Sequence, residues 1–227
     1  MKERKQSEQS DSATFKHYIF CRHNLGLYSL NPYGIEDKEQ WMQDRIPLLG
    51  RMLSSLSRQT NKNFTLILSI DPETPEGWID TLENFLEGFM IPVILYEGDP
   101  RTYIAQQVTH PMWLITSRID NDDEYRPNFV EVIQDAFRAK EEVIDVHGVQ
   151  FDGLQYYTSG RKRSNSPFIT LVEKWENPVT VFHKPHSTLN TVFPGRFASS
   201  EKLYIQHIHE NNLMNKIVGK QIPCPWK

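Results

Sequence analysis

The sequence predicts an α/β fold with a mostly parallel central sheet flanked by helices, joined to a mixed, strand-rich second half. Three observations predict it. Short apolar runs alternate with segments of helical periodicity over the first 140 residues, the pattern of strand-helix-strand units. The runs are continuous rather than alternating, as strands covered on both faces are. Beyond residue 140 the helical periodicity gives way to strand-like segments. The composition, 38% hydrophobic and 24% charged over 227 residues, suits one globular domain with a substantial core.

Residues 1–14 hold almost nothing to bury and read as a disordered tail before a single domain over 15–227. Phe15–Cys21 reads as the first strand, followed by Arg22, His23, Asn24 and a Gly/Pro/Asn-rich loop through Gly34. A helix is expected over Glu39–Gln59, with Met42, Ile46, Leu49, Met52, Leu53 and Leu56 on one face. Pro47 either kinks it or stands at its first turn. Phe64–Ile70 is a second strand ending at Asp71, Pro75–Phe89 an amphipathic helix, and Ile91–Tyr96 a third strand. A short helix near 102–108 precedes a fourth strand at 112–119, and a helix starting near Pro127 repeats Phe129, Val130, Ile133, Ala136 and Phe137. Val143–Tyr157 and Phe168–Phe182 read as strands around a polar loop that includes Arg161, Lys162 and Arg163. Ser199–Val218 reads as a closing helix carrying His207 and His209.

A net charge of −4 gives no electrostatic reason to expect nucleic acid. Cys21 and Cys224 are the two cysteines, too few for a disulfide framework, which fits a reducing compartment. No run approaches the ~20 apolar residues of a membrane span, so the expected location is the cytoplasm.

The chemistry concentrates in MWLITSRIDNDDEY, residues 112–125. If the chain stays extended past the fourth strand, Asp120 and Asp122 share a face and Asp123 points the other way. Two carboxylates on one side call for a cation, and a divalent metal with open positions for phosphate oxygens would serve. The same residues also suit a polar turn. Open α/β sheets bind ligands beyond the carboxyl ends of their strands, where Arg22, His23, Asn24, Asp71, Arg118 and the aspartates gather. Neither GxGxxG nor GxxxxGK[ST] follows any strand. A diphosphate here would therefore be neutralised by metal and arginine. Arg118 or Arg22 could stabilise a departing nucleotide, or either could simply pair with a carboxylate.

SSLSRQTNKNFTLILSID (54–71) and RIDNDD (118–123) resemble the start and the DxD motif of nucleotide-sugar glycosyltransferases with the GT-A fold. HYIFCRHNLGLY, SRIDNDDEY, NSPFITLVE and HIHENN together resemble the rhamnosyltransferase family of bacterial and similar proteins, over about residues 16–218. The resemblance implies a GT-A-like fold with a nucleotide-binding half (about 15–125) and an acceptor half (about 126–227). It implies a glycosyltransferase taking a nucleotide-diphosphate sugar, possible rhamnose donors included, to a glycan or other hydroxyl acceptor. It places Asp71 near the base, and Asp120, Asp122 and Asp123 at the sugar nucleotide. It makes Asp120, Asp122 and His209 ligands of Mn or Mg, with Asn212 in support. An inverting enzyme needs a carboxylate to accept the acceptor's proton. Glu173, following a strand in the second half, is the first candidate and Asp152 the second; a solvent-facing strand charge is the other reading of Glu173. Tyr156, Tyr157, Trp175 and Phe182 could stack on a sugar or fill the core. A non-catalytic nucleotide- or sugar-binding protein and a nucleotidyltransferase on a related sheet remain the alternative functions.

Overall fold

The computed structural model describes residues 14–107, 112–159, 166–209 and 216–226; the tail, Arg161–Arg163 and Asn212 lie outside them. Among the described residues the strands are β1 (Phe15–Arg22), β2 (Thr65–Ile70), β3 (Val93–Glu97), β4 (Trp113–Arg118), β5 (Glu124–Tyr125), β6 (Glu142–Phe151), β7 (Tyr156–Thr158), β8 (Thr170–Lys174), β9 (Gly195–His207) and β10 (Gln221–Ile222). The helices are α1 (Lys38–Ser57), α2 (Glu76–Leu86), α3 (Pro100–Ala105), α4 (Phe129–Asp135) and α5 (His186–Leu189). One sheet runs β10-β7-β6-β8-β4-β1-β2-β3, and β9 pairs with β5 and β6 beside it.

The parallel block β3-β2-β1-β4 is the alternating half foreseen in the sequence. Its central strand shows why the apolar runs are continuous. Along β1, Ile19 and Cys21 enter one buried cluster with Met42, Leu49, Met52 and Leu53 of α1, while Tyr18 and Phe20 enter a second with Leu114, Leu171 and Trp175. Alternate side chains thus pack against opposite layers, so both registers must be apolar. The α1 helix starts at Lys38, with the Asp37 carboxylate accepting from the Gln40 amide at 2.8 Å, and continues through Pro47.

The second half departs from expectation in two places. Residues 199–207 form the end of β9, a strand, where a closing helix was expected; its parallel partner is β6 and its antiparallel partner β5. Gly148 lets this pairing close, because a Cβ there would lie 2.4 Å from the Tyr204 ring. The second is extent: Phe168–Phe182, expected as a strand, contributes β8 over Thr170–Lys174. The β8 strand runs antiparallel to β4, with Glu173 opposite Leu114 and Thr170 opposite Ser117. Its carboxyl end therefore lies at the sheet edge where β4 begins. No helix among the described residues is long and apolar enough to cross a membrane.

Candidate active site

A cavity of about 490 Å³ opens where β1 and β4 end. Arg22, His23 and Asn24 reach it from β1, Arg118, Asp120, Asn121 and Asp122 from β4, and Trp41 and Arg45 from α1, under the loop that includes Asn31 and Tyr33. Adjacent parallel strands end at the same level, which is why two chain segments about a hundred residues apart meet here. The Ile119 amide extends that pairing to the Phe20 carbonyl at 3.0 Å.

Past Ile119 the chain turns instead of staying extended, and the Asp123 amide donates to the Asp120 carbonyl at 3.3 Å. The turn still separates the aspartates as expected, for a different reason. Asp120 and Asp122 line the cavity and Asp123 does not. Asp120 is half-exposed and accepts from Arg118 Nη2 at 3.1 Å. Asp122 is buried, and its Oδ2 lies 3.1 Å from both Arg45 Nη1 and His209 Nε2. Asp123 is fully enclosed, and its Oδ1 accepts the His207 amide at 2.7 Å. Burial, then the charges of Asp122 and Asp120, push its carboxyl well above the ordinary range. Asp123 thus fastens β9, and with it His209, beneath the acidic turn, and is not a sugar-nucleotide contact.

Asn121 orders the other wall. Its amide nitrogen donates to His23 Nδ1 at 3.0 Å and to the His23 carbonyl at 3.1 Å, while its oxygen faces Arg45 Nη1 at 3.5 Å. Burial, then Arg45, lowers the His23 pKa to about 3, so the ring is neutral. With Nδ1 accepting, Nε2 carries the proton, and that buried atom has no protein partner.

Two guanidiniums share one aromatic ring. Phe182, entering after β8, stacks on Phe20 at 5.7 Å and lies under Arg22 at 4.5 Å and Arg118 at 5.4 Å. Placing like charges side by side costs energy unless an anion joins them. The cavity lining holds three arginines (Arg22, Arg45, Arg118) against two aspartates (Asp120, Asp122), an excess of one positive charge with His23 neutral.

Other expected site residues lie elsewhere. Asp71 is buried behind the loop: its Oδ2 accepts the Tyr28 and Ser29 amides and the Ser29 hydroxyl at 3.1, 3.1 and 2.8 Å, and its Oδ1 the Glu73 amide at 2.9 Å. Burial opposes its charge, but these bonds outweigh it and hold the carboxyl below the usual range. Its evident role is to shape the loop. Glu173 is not brought to the cavity. It stands opposite Leu114, four residues and roughly 13 Å down β4 from Arg118. It is 2% exposed, and its carboxylate accepts the Val179 and Thr180 amides at 2.7 and 2.8 Å. It is therefore neither a base at this site nor a solvent-facing charge. Asp152, beside the Phe151 carbonyl that accepts the Ile208 amide, caps its own turn through Leu154 and Gln155 and accepts the Tyr157 hydroxyl; it is outside the cavity lining. Trp175 is core against Tyr18, and Tyr156 packs on Phe151 and Trp226.

Among the described residues no group of three His, Cys, Asp or Glu side chains is arranged to hold a metal ion. The donors do fit a smaller site. Asp122 Oδ2 and His209 Nε2 are hydrogen-bonded at 3.1 Å, a spacing that neighbouring ligands of an octahedral cation with ~2.1 Å bonds, at ~3.0 Å, would also have. Two protein donors leave room for phosphate oxygens and water.

The α/β sheet thus carries a cationic cavity at the ends of β1 and β4, beside an acidic turn. The family described as "Putative rhamnosyl transferase" matches residues 35–221, most of the chain, and the chain belongs to that family. None of the curated proteins matches it in sequence. Among solved structures, S. aureus TarS 1-349 in complex with UDP is 13% identical with a TM-score of 0.52, over 85% of this chain and 60% of that one. The chain thus spans about 60% of that TarS structure. A 4-diphosphocytidyl-2C-methyl-D-erythritol synthase from Anaerococcus prevotii is 12% identical with a TM-score of 0.38, over 86% of both chains. At these identities the TarS likeness speaks for the fold, which is the GT-A-like one.

Proposed function

We propose that the cavity binds a nucleotide-diphosphate sugar together with Mn or Mg, and that the protein transfers the sugar to a glycan or other hydroxyl acceptor. The observation that supports it most is the paired Arg22 and Arg118 guanidiniums on Phe182, in one cavity with Asp120 and Asp122 of the acidic turn. The arginines bind the diphosphate and hold it as the sugar–oxygen bond breaks, where their fixed charges stabilise the departing nucleotide. Asp122 and His209 hold the divalent cation, which when bound supplies Lewis-acid stabilisation of that leaving group. The family's description makes rhamnose the first sugar to test. Glu173 takes no part, and proton removal from the acceptor is not assigned to it.

Thermal unfolding with UDP-, GDP- and dTDP-sugars, rhamnose donors included, with and without Mn or Mg, tests the reading. A ligand bound by the folded state alone raises stability, by about 2.7 kcal/mol at a hundredfold excess over Kd. One nucleotide class is expected to raise the midpoint in a metal-dependent way, and transfer or slow hydrolysis of that donor should follow. Absence of any shift across the panel would overturn it. A shift without transfer or hydrolysis to any acceptor would favour a binding protein.

A further inference from the structure

Arg45 is a buried cation at a carboxylate already proposed to hold another cation. It comes from α1, on the helix face that otherwise gives Met42, Leu49 and Met52 to the core, and its side chain is 7% exposed. Its guanidinium lies 5.0 Å over the Trp41 ring and lines the cavity. The contact with Asp122 is made to Oδ2, the same oxygen that His209 approaches. A divalent ion between Asp122 and His209 would have to share that oxygen with a guanidinium, and the two positive charges would stand a few ångströms apart in a poorly solvated wall. Like charges that close oppose each other strongly. A diphosphate entering the cavity changes the balance, because it offers Arg45 new acceptors beside the old one.

Resting on the function proposed above, we propose that Arg45 couples metal binding to donor binding. With the cavity free of phosphate it engages Asp122 Oδ2 and keeps that oxygen from a divalent ion. With a diphosphate present it turns its N–H groups to phosphate oxygens, and Asp122 becomes open to the metal. Arg45 is thus a positioning residue that makes metal and nucleotide enter together, and the coupling is reciprocal: each tightens the other by the same factor. Trp41 keeps the guanidinium in the cavity wall in both states.

The test uses the full chain and Mn²⁺ alone, with free ion followed by electron paramagnetic resonance. Wild type is expected to bind Mn²⁺ weakly, and R45M and R45Q to bind it roughly tenfold more tightly or better. Such a gain is not what loss of a structural residue produces. D122N should remove the binding in either background. Added UDP, GDP or dTDP, whichever the wild type binds, should tighten Mn²⁺ on wild type by about tenfold and on R45Q much less. Equal Mn²⁺ affinity of wild type and a folded R45M or R45Q overturns the proposal. Should neither variant fold, Mn²⁺ affinity of wild type that is indifferent to a bound nucleoside diphosphate overturns it equally. A wild type that binds none of the three nucleotides instead overturns the function on which the proposal rests.

Discussion

Asp122 and Glu173 are both buried carboxylates beside β4, and they lie at its opposite ends. Asp122, at the exit of β4, is met by a guanidinium and an imidazole and opens on a cavity. Glu173, near the end of β8, is met by two backbone amides that fold residues 179–180 over it. Burial alone thus does not distinguish a site from a brace. The neighbours do: cations and an open wall in one case, amides and a closed turn in the other.

The contrast can be broken by substitution, and the largest effect is expected at Asp122. D122N keeps the shape of the side chain and removes its charge, and donor turnover should fall by about a hundredfold or more, with loss of the metal-dependent thermal shift. Unchanged turnover would remove the acidic turn from the chemistry. R118M should weaken donor binding by about 10- to 100-fold, the worth of hydrogen bonds to a charged group, and direct titration of the nucleotide would show it. F182A removes the ring beneath both guanidiniums without touching a charge, and a loss of about tenfold in donor affinity is expected. An affinity equal to wild type would mean that the arginines hold their places without it.

At the other end of β4, E173Q should leave donor turnover within about twofold of wild type, since Glu173 is remote from the cavity. Its signature is in stability. Burial raises the Glu173 pKa to about 7 from an ordinary 4.5, against the two amides that favour its charge. The folded chain therefore holds a proton that the unfolded chain releases earlier. The stabilisation is fully present below about pH 4.5 and is lost as pH rises through about 7, an effect on the order of 3 kcal/mol. Denaturant unfolding of wild type across that window should show the decline. E173Q starts less stable, having one acceptor fewer, and should show a flatter profile.

The parallel half was legible because its rules are local. Strands covered on both faces need continuous apolar runs, and α1 repeats Met42, Leu49, Met52 and Leu53 at helical spacing. The acidic turn was legible from charge alone, although the chain turns there where alternation along an extended segment was assumed. Arg45 was missed, yet the sequence carried a signal: a charge three residues after Met42 and four before Leu49 stands on the helix's apolar face, where it must find a buried partner. Glu173 was misplaced because strand direction is not a local property. A residue following a parallel strand reaches the binding edge, whereas β8 runs the other way. The β9 strand was read as a helix because polar and apolar residues mix along it, and its partners on β5 and β6 lie some 50 to 80 residues away in sequence.

The most direct measurement is a crystal structure of the protein with Mn²⁺ and the nucleoside diphosphate that raises its unfolding midpoint. The account predicts the diphosphate between Arg22 and Arg118, with Asp122 released from Arg45 and, with His209, holding the Mn²⁺. A nucleotide seated away from the exits of β1 and β4, with Asp122 still closed against Arg45, would contradict it.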